Sequence, residues 1–157
     1  MENYKKATML GAASGAVSGL VAITPAAGFV GLGGSIIIGF VAGIIGVFWL
    51  KHGFKYDDSL DVFGVHGLNG IWGTLATGIF ANPQVNPAGS GLLYGNIKQF
   101  FIQILGLVVV ILFTGIMTAI LYFITSALSR GARVDEETEV MGLDEAVHGE
   151  RGFELKG

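Results

Sequence analysis

The stretch Asp61-Val-Phe-Gly-Val-His66-Gly-Leu-Asn-Gly-Ile-Trp-Gly-Thr-Leu-Ala-Thr-Gly-Ile-Phe80 decides how the rest of the chain is read. From Val62 to Phe80 it carries no formal charge. At about 1.5 Å of rise per residue, a helix over it is roughly long enough to cross a bilayer. It nevertheless contains an ionisable side chain, His66, with Gly64, Gly67, Gly70 and Gly73 around it. An ionisable group within an apolar span marks a functional site by default, because the hydrocarbon penalises it.

The whole composition supports a membrane reading. Hydrophobic residues make up 52% of the chain and charged residues 13%, with a mean hydropathy of +0.65. The 157 residues would fit one soluble domain, but the charges avoid the long apolar runs. Four such runs stand out, at about 7–30, 34–50, 62–80 and 100–128, each near or above the roughly 17 residues a spanning helix needs. No run alternates polar and apolar residues, so strands are not expected. The fold class that follows is an all-α membrane protein with four transmembrane helices in residues 1–128 and a tail at 129–157.

Glycine sets the packing within this frame. Gly11, Gly15 and Gly19 form one small-residue stripe on the first span, and Ser14, Ser18 and Ala22 form a second. Stripes of this kind let backbones approach closely in lipid. Length and a Gly- and Ala-rich core argue against reading this segment as a cleaved signal. Thr24-Pro25 is expected to break the helix near its far end. Residues 28–34 read as a glycine-rich turn, and Ser35, Gly39 and Gly43 repeat the packing theme in the second span. Trp49 reads as an interfacial aromatic. Asp61 is placed to cap the third helix, after Asp57, Asp58 and Ser59. The fourth span is apolar all round except for Gln103, as a tilted, lipid-facing helix would be.

Basic residues set the orientation. Four spans put both termini and the 51–60 loop on one side, with Lys5, Lys6, Lys51, Lys55, Arg130 and Arg133, against Lys98 on the other. The richer side is expected to be cytoplasmic, giving a multi-pass protein of the cell membrane. The tail carries eight of the twelve acidic residues (Asp135, Glu136, Glu137, Glu139, Asp144, Glu145, Glu150 and Glu154), a composition that by itself allows disorder.

The chemistry narrows to one residue. A charge at the bilayer centre costs about 2.5–3.5 kcal/mol, so His66 is expected as a neutral imidazole with one donor and one acceptor. That suits either hydrogen bonding to a small permeant and proton relay, or a structural bond to a neighbouring helix. Asn69, one turn onward, reads as an interhelical hydrogen bond. Cysteine is absent, and no second His, Asp or Glu lies at ligand spacing in the spans, so neither a disulfide nor a metal site is expected. His52 and His148 lie outside the spans, and no nucleophile has a base beside it, so no catalytic residue is assigned and an enzyme is not expected. No cofactor or nucleic-acid partner is expected either.

Three motifs, in order, carry a family resemblance. Asp57-Asp-Ser-Leu-Asp61-Val-Phe-Gly-Val-His66-Gly-Leu-Asn-Gly-Ile-Trp-Gly-Thr resembles the tenth-helix signature of Amt/MEP/Rh ammonium transporters. Gly11-Ala-Ala-Ser14-Gly, ending in Ile23-Thr24-Pro25-Ala26, is similar to their eighth helix, and Gly142-Leu143-Asp144 with His148-Gly149-Glu150 resembles their cytoplasmic C-terminal motif. The resemblance covers essentially the whole chain but only the last four of that family's eleven spans. It implies a homotrimer with one pore per subunit, carrying ammonium or ammonia, and makes His66 the second of two paired pore histidines. Ser14 and Thr24 would line the pore, Val17 and Val62 would form its apolar wall, and Asp61 would be a structural carboxylate. The tail residues Gly142, Leu143, Asp144, His148, Gly149 and Glu150 would form a regulatory segment where PII-type signal proteins dock. Phe153 stands where many relatives have tyrosine, so control through a hydroxyl there is not expected. The chain is thus expected to be a C-terminal piece of such a transporter. The competing expectation is a non-transporting four-helix membrane module that binds partners through its acidic tail.

Overall fold

A computed structural model describes residues 8–52, 58, 60–129 and 131–150. Lys5, Lys6, Lys55 and Arg130 of the orientation count, with Asp57, Ser59 and Phe153, lie outside the described residues. The elements are α1 (Met9–Ile23), a 3₁₀ turn (Thr24–Ala26), α2 (Leu32–His52), a π-helical turn (Phe63–Leu68) running into α3 (Asn69–Phe80), α4 (Ile97–Leu128) and α5 (Glu136–Met141). Two compact units divide within α4, at 1–110 and 111–157. By length and hydropathy, Met9–Ala26, Leu32–Trp49 and Ile97–Leu128 are each able to cross a membrane.

Local chemistry sets the ends of α1. Thr8 caps it, its Oγ1 accepting from the Gly11 amide at 3.0 Å. Pro25 cannot extend the ladder, so the helix tightens into the 3₁₀ turn, where the Thr24 hydroxyl donates to the Leu20 carbonyl at 2.6 Å. The expected turn over 28–34 is shorter than its glycines suggest. α2 already begins at Leu32, which puts Gly33 and Gly34 in its first turn.

The core of the first unit lies between α1, α2 and α3, and it is built from very small side chains. Ala22, Ala26, Ile38, Ala42 and Ala76 are fully buried, with Trp72, Val30, Ile23 and Phe80 packed against them. On α1 the second small stripe makes this contact, with Ser18, Ala22 and Ala26 buried at successive turns. The Gly15–Gly19 stripe does not: a Cβ at either glycine would meet no atom within 4 Å. The same holds on α2, where Gly39 and Gly43 have no such neighbour while Ile38 and Ala42 are buried and Gly46 faces Ser18. Both helices present two small faces, and the four-residue row that carries alanine is the one that packs here. Trp72 then joins α3 to α2, its indole N–H reaching the Ile38 carbonyl at 3.1 Å.

The connection after α3 is fastened to the first unit. The Asn82 amide bonds to the Phe29 carbonyl at 2.8 Å and the Gly91 amide to that of Ala81 at 2.8 Å. Asn82 and Asn86 each fold the chain back locally by accepting from the amide two residues on. Asn96 caps α4, its Oδ1 accepting from the Gln99 amide at 3.1 Å. No residue of α4 is buried, as its uniformly apolar surface requires of a helix facing lipid or other helices. Gln103 is an exception in kind, since its stem lies against Gly78.

The described part of the acidic tail, residues 131–150, has local order. Asp135 caps α5, and a second π-helical turn spans Asp144–His148. Composition alone leaves room for disorder here. The caps decide otherwise.

Candidate functional site

His66 sits in the middle of the π-helical turn, the wider, i→i+5-bonded form that is frequent at functional positions. Two side chains hold this turn. Asp58 grips its start: its carboxylate accepts from the Val62 amide at 2.8 Å and from the Phe63 amide at 3.1 Å. Asn69 closes its far end from a buried position, its side-chain amide donating to the Gly64 carbonyl at 3.2 Å. This corrects two sequence expectations. Asn69 bonds within its own helix and not across to a neighbour, and its Oδ1 has no partner among the described residues. The capping carboxylate is that of Asp58, not Asp61.

Asp61 has a different place. Its backbone adopts a left-handed φ of 52°, a conformation that L residues other than Asn and Asp rarely take. That bend brings its carbonyl onto the Val65 amide at 2.8 Å and turns the chain up into the helix. Asp58 also holds the bend itself, with the Asp61 amide on the Asp58 carbonyl at 2.8 Å.

Two glycines press this assembly against its neighbours. A Cβ on Gly64 would run into the indole of Trp49, and one on Gly73 would run into the Ala22 carbonyl. Trp49 is thus half-buried against the π turn, with its ring centroid 5.1 Å from that of Phe63, whereas the sequence placed it simply at the membrane interface. Gly70 differs: its Cβ would meet nothing within 4 Å. A Cβ on Gly67 would first meet the ring of Phe63, one turn back on its own helix.

His66 is exposed in the chain, and it shares a four-residue row with Val62, which is 52% exposed, and with the open position Gly70. On α1, Val17 and Thr24 are exposed, on the side away from buried Ser18 and Ala22. Ser14 and Asp61 come together as walls of one small cavity, which His66 does not line. Among the described residues no group of three or more His, Asp and Glu is arranged to hold a metal.

In the tail, Gly142 and Gly149 have φ of 96° and 67°, which end α5 and the second π turn where a side chain would be strained. Between them Leu143 is half-exposed and the Glu150 amide closes back on the Asp144 carbonyl at 3.0 Å. Asp135 Oδ1 accepts from the Thr138 amide at 2.8 Å, and this bond holds its carboxyl below the usual carboxylate range. Arg133 forks onto Glu139, with Nη2 to Oε2 at 2.8 Å and Nε to Oε2 at 3.1 Å. Sequence reading passed over Gly46, gave Trp49 only an interfacial place, and noted Asp58 ahead of the third span without singling it out as the cap. The signal for Asp58 was available, since a carboxylate a few residues ahead of an apolar helix is a cap candidate, but Asp61 stood nearer the apolar run.

Comparison with known proteins agrees with this architecture. The model of the Ammonium Transporter Family matches residues 1–153. An ammonium transporter of Aquifex aeolicus is 50% identical over 153 residues, 96% of this chain and 36% of that protein. One of Bacillus subtilis is 50% identical over 154 residues, 96% of this chain and 38% of that protein. The crystal structure of Saccharomyces cerevisiae Mep2 superposes with a TM-score of 0.76 at 33% identity, covering 85% of this chain and 32% of that one. The chain spans about a third of the length of these relatives, and its helical fold is that of the corresponding part of Mep2. On its sequence along nearly its whole length and on its fold, the chain belongs to the Ammonium Transporter Family, a family of membrane transporters and not of enzymes.

Proposed function

We propose that this chain forms part of the conduction path of an ammonium transporter, with His66 on the wall of that path. The carrying observation is the row Val62–His66–Gly70, which sets one imidazole on an otherwise apolar and sterically open face. An apolar wall rejects a bare cation, because stripping ammonium of water in low dielectric is costly. Ammonium would shed its proton and cross as ammonia, and an imidazole on the wall offers a donor and an acceptor for the transfer. Val17 and Val62 would keep the path dry, while Ser14 and Thr24 would supply hydroxyls along it. The matched relatives are more than twice as long, and in this reading the rest of the path comes from regions outside the match. A homotrimeric assembly, cytoplasmic termini and a regulatory tail that receives a PII-type signal protein belong to the same proposal. In that reading Leu143 and the Asp144–His148 turn are the docking element.

Uptake of methylammonium by cells making the complete reading frame tests the reading. The His66→Ala version is expected to lose most of the uptake at equal membrane abundance. Equal uptake by both proteins removes His66 from the mechanism.

A further inference from the structure

α1, α2 and the first π turn border a partly open cavity of about 30 Å³, with Gly15, Gly43 and Gly64 among its walls. Ser14, Ser18 and Asp61 line it, together with the indole of Trp49. Ser18 is 1% exposed and its hydroxyl has no hydrogen-bond partner among the described residues. A Cβ on Gly46, another lining residue, would come within 3.1 Å of that hydroxyl, so the oxygen lies on the side of the cavity wall. Buried hydroxyls are almost always bonded, to protein or to ordered water. A water needs room for one probe sphere and two to four polar partners, and this cavity offers both. The volume is too small for a cation with its own water shell, and the wall has too few oxygens to replace that shell.

We propose that the cavity is a single-water site, in which the water accepts from the Ser18 hydroxyl, donates to the Asp61 carboxylate and has the Ser14 hydroxyl as its third partner. The water ties the bend at Asp61 to α1, and it fastens the foot of the π turn that carries His66. The backbone of Asp61 is strained at this point, so a bridge from its side chain resists relaxation of the bend.

A high-resolution structure of the protein in lipid nanodiscs, resolving other buried waters, is expected to show one solvent peak within hydrogen-bond reach of Ser18 Oγ and the Asp61 carboxylate. A dry cavity, with Ser18 Oγ turned back onto a carbonyl of its own helix, overturns the proposal. So does a peak whose height follows the sodium concentration. In Gly46→Ala the added methyl occupies the space before Ser18 Oγ, and the peak is expected to vanish; its persistence there counts against the site. Ser18→Ala is expected to lower the melting temperature, since it strips the water of a partner. An unchanged or raised melting temperature shows that the hydroxyl had no partner to lose.

Discussion

Gly64 lies against the indole of Trp49 so closely that no side chain fits between the π turn and α2. This contact fixes how near the third helix can come to the second, and with it the height of His66. Gly64→Ala is therefore expected to destabilise the fold by about 1–3 kcal/mol, the usual cost of overpacking. Thermal melting in detergent checks it. Pairing Gly64→Ala with Trp49→Leu should recover part of the loss, because the clash is with the ring and not with backbone.

Gly73 and Gly70 stand one turn apart and predict opposite outcomes. Gly73 abuts the Ala22 carbonyl, a rigid group that cannot swing aside, so Gly73→Ala should cost at least as much as Gly64→Ala. Gly70 faces open space, and alanine there should leave melting unchanged or raise stability by up to about 1 kcal/mol through helix propensity. If His66 lines the path, Gly70→Ala should still reduce methylammonium uptake. Stability and transport would then separate in one variant.

Asp58 and Asp61 differ in the same way. Asp58→Ala removes the acceptor for the Val62 and Phe63 amides and should cost about 0.5–2 kcal/mol. Asp58→Asn keeps an acceptor oxygen and should cost less. Hydrogen exchange at the amides of Val62 and Phe63 reads the effect directly, with faster exchange in Asp58→Ala than in Asp58→Asn.

The tail carries a pH signature. Asp135 accepts from Thr138 in the folded tail, so its carboxyl titrates below its unfolded value of 3.8. A group with a depressed folded pKa stabilises the fold above its unfolded value and loses that contribution as pH falls through the folded one. Protection of α5 amides should accordingly hold steady near neutrality and decline below about pH 4. Asp135→Asn, which caps nearly as well uncharged, should flatten that decline.

Arg133 and Glu139 provide a control. Their forked pair is exposed, at 78% and 48%, and surface pairs contribute only about 0–1 kcal/mol. Glu139→Gln should leave α5 protection close to that of the parent and should reduce its sensitivity to salt.

By itself the sequence determined that this is a helical membrane protein, where the apolar runs lie, that His66 is out of place among them, and which family motifs surround it. Those properties are local: hydropathy over a span, the stop at Pro25 and the character of one side chain depend on neighbours in the chain. It could not say which of two small-residue rows on α1 and α2 would pack, because Gly15–Gly19 and Ser18–Ala22 are equally able to admit a second helix. Only the third helix, arriving with Gly73 at Ala22 and Gly64 at Trp49, chose between them. The capping carboxylate was likewise decided in space. Asp61 is nearer the helix in sequence, but its left-handed bend leaves the amides to Asp58 and sets Asp61 on the wall of the cavity that Ser18 lines.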